Sequence, residues 1–208
     1  MAIRAGLIFG IAFLAPGISM AQHSPFGEEG ILKALNQLRA DPAGYAAVLR
    51  RQRAYYQGNI LAIPGLPEML TREGVRPLDE AIADLSAMQG GLGLVTLSAG
   101  LSRAATDHAR DTGLRGLTSH AGTDGSNPTK RIERYGTWSG AIGEDISYGA
   151  REAREVISDL LIDDGVANRA HRKSLLDARW RYVGIGCAFH ARYRTVCVLD
   201  FASSYTAR

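Results

Sequence analysis

Two histidines and a glutamate in the second half of the chain are the residues best suited to chemistry: His120, Glu144 and His171. His120 lies in Thr118-Ser119-His120-Ala121-Gly122-Thr123-Asp124-Gly125-Ser126, Glu144 in Ile142-Gly143-Glu144-Asp145-Ile146, and His171 in Asn168-Arg169-Ala170-His171-Arg172. Two imidazoles and a carboxylate are the smallest set that holds a divalent cation such as zinc with one position left open. Water on such a cation is acidic enough to attack a carbonyl. The same side chains serve general acid–base chemistry without a metal. They come from distant segments with no tight H-x-x-x-H spacing, so only the fold can gather them.

Other chemistries have weaker footing. There is no Gly-x-Ser-x-Gly elbow, and Ser119 beside His120 does not make a triad, because adjacent side chains rarely point together. Asp124 and Ser126 read as residues that shape their Gly-rich loop. Asp200, in an otherwise apolar strand, is expected to pair with a buried base or backbone group. His108 falls on an apolar helical stripe with Leu101, Ala104, Ala105, Ala109 and Thr112, and reads as a core histidine.

These residues need a scaffold. The chain has 208 residues, 46% of them hydrophobic, enough for one domain with a core. Residues 1–21 read as a secretory signal peptide: Arg4 precedes an apolar run, Pro16-Gly17 breaks it, and Ser19-Met20-Ala21 is an A-x-A-like cleavage site. The run is short for a membrane span, so residues 22–208 are expected to be exported, secreted or periplasmic, with no stable span after cleavage. With 24 basic and 21 acidic side chains, and the basic ones scattered, nothing points to a nucleic-acid partner.

Periodicity predicts helices over residues 28–53, interrupted at Asp41-Pro42, and over 77–88, 99–114, 129–135, 153–162 and 169–176. Pro42 is placed to open a helix and Ser98 to cap one. Residues 55–76, broken by Gly58, Pro64, Gly65, Pro67 and Gly74, read as an irregular insertion. Strands are expected at 141–148, 182–189 and 195–201. With a turn centred near Arg192, Cys187 faces Cys197, Ile185 faces Leu199 and Val183 faces Phe201. An exported protein meets an oxidising compartment, so Cys187 and Cys197 are expected to form a disulfide. The element order suggests an α+β domain with helices packed on a small antiparallel sheet.

Four motifs in order, Ser119 to Ser126, Gly143-Glu144-Asp145-Ile146, His171-Arg172-Lys173-Ser174-Leu175-Leu176 and Val183-Gly184-Ile185-Gly186-Cys187, resemble the CAP superfamily, the SCP-like or cysteine-rich secretory protein, antigen 5 and pathogenesis-related-1 proteins. Asn36-x-x-Arg39 and Ala105-x-x-His108-Ala109 add to the likeness, which covers residues 28–202. The resemblance implies a secreted three-layer α-β-α sandwich with a central cleft lined by two histidines and two acids. Carried over, these are His120, Glu144, His171 and a second acid. The second acid follows Leu161, which stands at the family's tryptophan position. Asp164 is the first choice there and Asp163 the competitor. Asp145 replaces the usual asparagine.

Catalysis is not general in that group, so the resemblance favours a non-catalytic binding module. Its cleft would take a small apolar molecule, a lipid or an envelope component, with a divalent metal at His120 and His171, aided by Glu144, as modulator. A metal-dependent hydrolase or peptidase is the alternative from the donor set. A host- or cell-surface interaction protein, using residues 55–76, is a third.

Overall fold

Strands β6 (Tyr182–His190) and β7 (Arg194–Ala207) form the hairpin at the centre of the molecule. The computed structural model describes residues 27–208; the expected leader lies outside them. The hairpin register is the expected one: Cys187 opposite Cys197, Ile185 opposite Leu199, Val183 opposite Phe201. Cys187 and Cys197 are disulfide-bonded, their Cα atoms 4.1 Å apart.

Both faces of this hairpin are apolar, so both must be covered. Val183, Ile185, Cys197, Leu199 and Phe201 pack against α1 (Glu28–Ala40), α2 (Pro42–Arg53), α3 (Arg76–Ala87) and α6 (Ala153–Ile162). Ala188, Val196 and Val198 pack on the other face against Ala105 and Ala109 of α4 (Ala99–Gly113), with α5 (Pro128–Glu133) beside it. The result is the expected α-β-α sandwich. Helix α4 lies so close to β6 that Cβ atoms at Gly184 and Gly186 would overlap the helix backbone at Leu101 and Thr106.

The sheet order is β4-β6-β7-β5. Three details depart from expectation, the first being that β7 runs on to Ala207, past the expected end at 201. The two-residue β4 (Thr96–Leu97) runs parallel to β6, so the sheet is antiparallel only in its other pairs. Strand β5 begins at Gly136, ahead of the expected start, and reaches Tyr148 across a bulge between Ser139 and Ile142. As an edge strand, β5 leaves one rim open to both helical layers.

The break at Asp41-Pro42 is a helix junction: Pro42 opens α2 and the Asp41 carboxylate accepts Gly44 N–H at 2.8 Å. Ser98 precedes α4, but its hydroxyl makes no capping bond; its backbone N–H is committed to Val183 O. Asn36 and Arg39 clamp the first helix to distant backbone. Asn36 exchanges two hydrogen bonds with Val95 (2.9 and 3.0 Å), and the fully buried Arg39 donates to the carbonyls of Gly93, Leu175 and Asp177. Residues 55–76 hold more order than their glycines and prolines suggest. Two-residue strands β1 (Tyr56–Gln57), β2 (Ile60–Leu61) and β3 (Met69–Leu70) form a small antiparallel sheet.

The short helix α7 (Ala170–Leu175) completes the domain and carries His171. No helix among the described residues is long and apolar enough to cross a membrane.

Candidate functional site

The loop 118–126 is fixed from three sides before His120 reaches solvent. From α4, the buried His108 donates Nε2–H to Ser119 O at 2.8 Å. Burial lowers the His108 pKa, so its ring stays neutral, and Nδ1 has no partner among the described residues. Asp111 accepts the backbone N–H and the hydroxyl of Thr123. Arg131 of α5, 2% exposed, donates to Ser126 O (3.0 Å) and His120 O (3.1 Å). Asp124 accepts Ser126 N–H, in keeping with a role in shaping the loop.

Glu144 meets this loop from edge strand β5. Its side chain is 1% exposed and its two oxygens are divided: Oε1 accepts His120 Nδ1–H at 2.7 Å, Oε2 accepts the Arg131 guanidinium at 2.6 Å. Burial alone would raise the Glu144 pKa; His120 and Arg131 outweigh it and hold the carboxylate below its usual range. The His120 ring itself is 54% exposed, with Nε2 free of this pair.

Asp200 stands opposite Glu144 across β5 and β7. The expectation that it pairs with a buried base or backbone group is not met. Asp200 is fully buried and neither oxygen has a hydrogen-bond partner among the described residues. Burial, and then the Glu144 charge, push its pKa well above the carboxylate range, so it is held protonated. Period-2 alternation puts it on the Glu144 face, a placement visible only once β5 is aligned with β7.

The second imidazole is mounted differently. Helix α6 ends at Asp163 in the left-handed region (φ 60°), and α7 is entered through Arg169, also left-handed (φ 50°). That path turns the Asp163 carboxylate onto the start of α7. Oδ2 accepts His171 N–H at 2.9 Å and Oδ1 accepts His171 Nδ1–H at 2.7 Å. The Asp163 bond raises the His171 pKa against the effect of burial.

The acid beside His171 is therefore Asp163. The Asp164 carboxylate faces the insertion and accepts the backbone N–H groups of Arg72 (2.7 Å) and Glu73 (2.9 Å). Two adjacent aspartates are indistinguishable by spacing; the left-handed residue at 163 decides between them.

The expected site residues thus assemble as two imidazole–carboxylate pairs. Asp145, 3% exposed, lies near both: burial pushes its pKa up to about 7, while His171 and, less, His120 pull it down. A hollow of about 400 Å³ opens beside the second pair, lined by His171, Asp163, Asp159, Arg72, Tyr148 and Tyr193 among others. His120 and Glu144 are not in its wall. Asp164 also lines it. A second hollow of about 480 Å³, more apolar, lies between α2, the insertion and α6, with Val48, Tyr55, Ile63 and Leu66 in its wall.

Metal-ligating histidines usually fix one ring nitrogen on a carboxylate and ligate with the other; both pairs have that form. Among the described residues, however, no three His, Cys, Asp or Glu side chains are grouped to hold a metal ion. The donors fit a cation only as imidazoles completed by solvent or ligand, not as a three-ligand zinc centre. Arg131, Tyr148, Tyr193 and Asp159 were not singled out as functional from the sequence. Arg131 carried no signal there, since a buried arginine on a short helix looks like a solvated one.

The chain belongs to the cysteine-rich secretory protein family, CAP, whose profile matches residues 32–201. Similar solved structures include an extracellular SCP-domain protein from Bacillus anthracis: 18% identity, TM-score 0.43, covering 53% of this chain and 34% of that one. An outer surface protein from Borrelia burgdorferi has 19% identity and a TM-score of 0.45, covering 53% of this chain and 78% of that one. A cysteine-rich secretory protein from Staphylococcus aureus has 12% identity and a TM-score of 0.40, covering 62% and 38%. The chain spans about a third of the length of the first and third. No curated protein matches.

Proposed function

We propose that this CAP-domain protein is an exported binding module that holds a small envelope-derived molecule beside its paired imidazoles and does not transform it. One observation carries the reading: each imidazole is locked through Nδ1 to a buried carboxylate at 2.7 Å, leaving one polar edge. The hydroxyl of Ser119 accepts a hydrogen bond from Ala121 N–H in its own loop, and both cysteines are in the disulfide. Locked rings suit recognition, because little freedom remains to be lost on binding. A divalent cation at the free imidazole edges modulates this binding and takes its remaining ligands from the bound molecule or water. The leader-like sequence pattern of residues 1–21 and the disulfide support export.

The test is native mass spectrometry and elemental analysis on protein purified without a metal-affinity column. A co-purifying small molecule, lost in both His120→Gln and His171→Gln, is the expected result. Chelator-sensitive hydrolysis of a peptide or ester by the same preparation would instead establish the metal-dependent hydrolase.

The insertion favours a second reading, surface interaction with another protein, because Leu70 is 79% exposed on β3 with Met69 beside it. Leu70→Ser that leaves cell-surface binding unchanged would remove it.

A further inference from the structure

We infer that the hollow beside His171 is a subsite for a pyranose ring of an envelope glycan. This rests on the binding reading above and names its ligand class.

One wall of the hollow is aromatic and rigid. Tyr148 comes from β5 and Tyr193 from the β6–β7 turn, ring centroids 5.7 Å apart. Both lean on the fully buried His190, at 5.3 and 5.1 Å. His190 Nδ1 accepts the backbone N–H groups of Arg192 (3.2 Å) and Tyr193 (3.0 Å), and its Nε2–H donates to Leu117 O at 3.1 Å. One buried ring therefore sets the turn that presents Tyr193 and ties it to the loop leading to His120. The platform exists before a ligand arrives, which lowers the ordering cost of binding.

The facing wall is polar and mixed in character. The Asp159 side chain, half-buried on α6 where it borders both hollows, receives no hydrogen bond from any described residue. Burial pushes its pKa up to about 8, so near neutrality its carboxyl both donates and accepts. Arg72 and His171 supply donors, and Asp163 lies behind His171.

Ligand classes separate on this lining. A purely apolar molecule would leave the polar wall unpaired, which is costly; the larger apolar hollow suits it better. An organic cation would meet Arg72, and also Arg192, whose guanidinium lies 5.1 Å from the Tyr193 ring centroid. An anion would meet the carboxylates of Asp163 and Asp164. A pyranose has an apolar C–H face for the tyrosines and a rim of hydroxyls that both donate and accept. A volume of about 400 Å³ is within the range of small-molecule sites.

The test is saturation-transfer NMR on the described domain as it exists in the full chain, with chitobiose, cellobiose and maltose as probes and octanoate as the apolar control. Saturation of the ring protons of at least one disaccharide is expected. Tyr193→Ala and Asp159→Leu should each weaken it at least tenfold, with unfolding midpoints no lower than about those of wild type for Asp159→Leu, and Tyr193→Phe should retain it. Transfer that survives both Tyr193→Ala and Asp159→Leu would place the sugar elsewhere and overturn the subsite. Silence from all three sugars, beside a co-purifying ligand of another class, would overturn the glycan and leave the binding reading intact. Silence from the sugars with no co-purifying ligand at all would overturn both.

Discussion

The two imidazole–carboxylate pairs have the same 2.7 Å bond and opposite construction. At the first, the acid is on a rigid strand and the base on a loop. Glu144 is buried, and its charge is balanced by the equally buried Arg131. At the second, the acid ends one helix in a left-handed conformation and the base begins the next. Asp163 is satisfied by backbone N–H and by His171 itself. The first pair depends on a buried countercharge, the second on a chain path. Similar chemistry at a site does not imply similar sensitivity to change.

Arg131→Met is the severest test of that contrast. It leaves Glu144 buried without its guanidinium and facing Asp200, and should cost about 3–5 kcal/mol in urea unfolding. A loss no larger than that of a surface variant would break the comparison. Asp163→Ala removes the bonds at the start of α7 and puts alanine at positive φ; about 1–3 kcal/mol should be lost. In the same variant the His171 pKa should fall in an NMR titration. An unmoved His171 would mean that Asp163 is only a cap.

A smaller effect concerns pH. The folded state holds the His171 proton more tightly than the unfolded chain, so this pair stabilises fully below about pH 6.5. The gain fades as pH rises through the folded pKa. Asp159, with its pKa raised to about 8, tilts stability the same way. The informative quantity is therefore the difference between wild type and His171→Gln, whose unfolding midpoint should fall less from pH 6 to pH 8. His108, behind the first pair, has the opposite sign: its pKa is lowered, so it withdraws stability as pH drops below about 6.5. The smallest expected effect is that of Asp164→Asn. It weakens two bonds to the insertion, costs about 0.5–1 kcal/mol in urea unfolding, and leaves the His171 titration where it was.

The register of the β6–β7 hairpin was legible, because period-2 alternation and two cysteines leave one sensible pairing, but the extension of β7 to Ala207 was not. The junction at Asp41-Pro42 was legible because proline can only open the second helix. The members of the first pair followed from motif order. What sequence could not supply was cross-strand and backbone information. Asp200 meets Glu144 only when β5 is aligned on β7, and β5 itself is masked at its start by Gly136, Gly140 and a bulge. Asp163 outranks Asp164 through one dihedral angle. Tyr193 becomes a wall of the hollow through His190, which lies just past the expected end of its strand at 189.

Gly184 lies two strands from Glu144, across Asp200, with Gly186 further along β6, yet both govern the first pair. Helix α4 can rest on β6 only because nothing projects there, and α4 carries the ring that grips Ser119 O. A methyl group at 184 or 186 would act as a shim. It would lift the helix, draw His108 back from its carbonyl, and shift His120 without touching it. The reach of that exposed imidazole is gauged by how thinly two layers are allowed to stack in the middle of the protein.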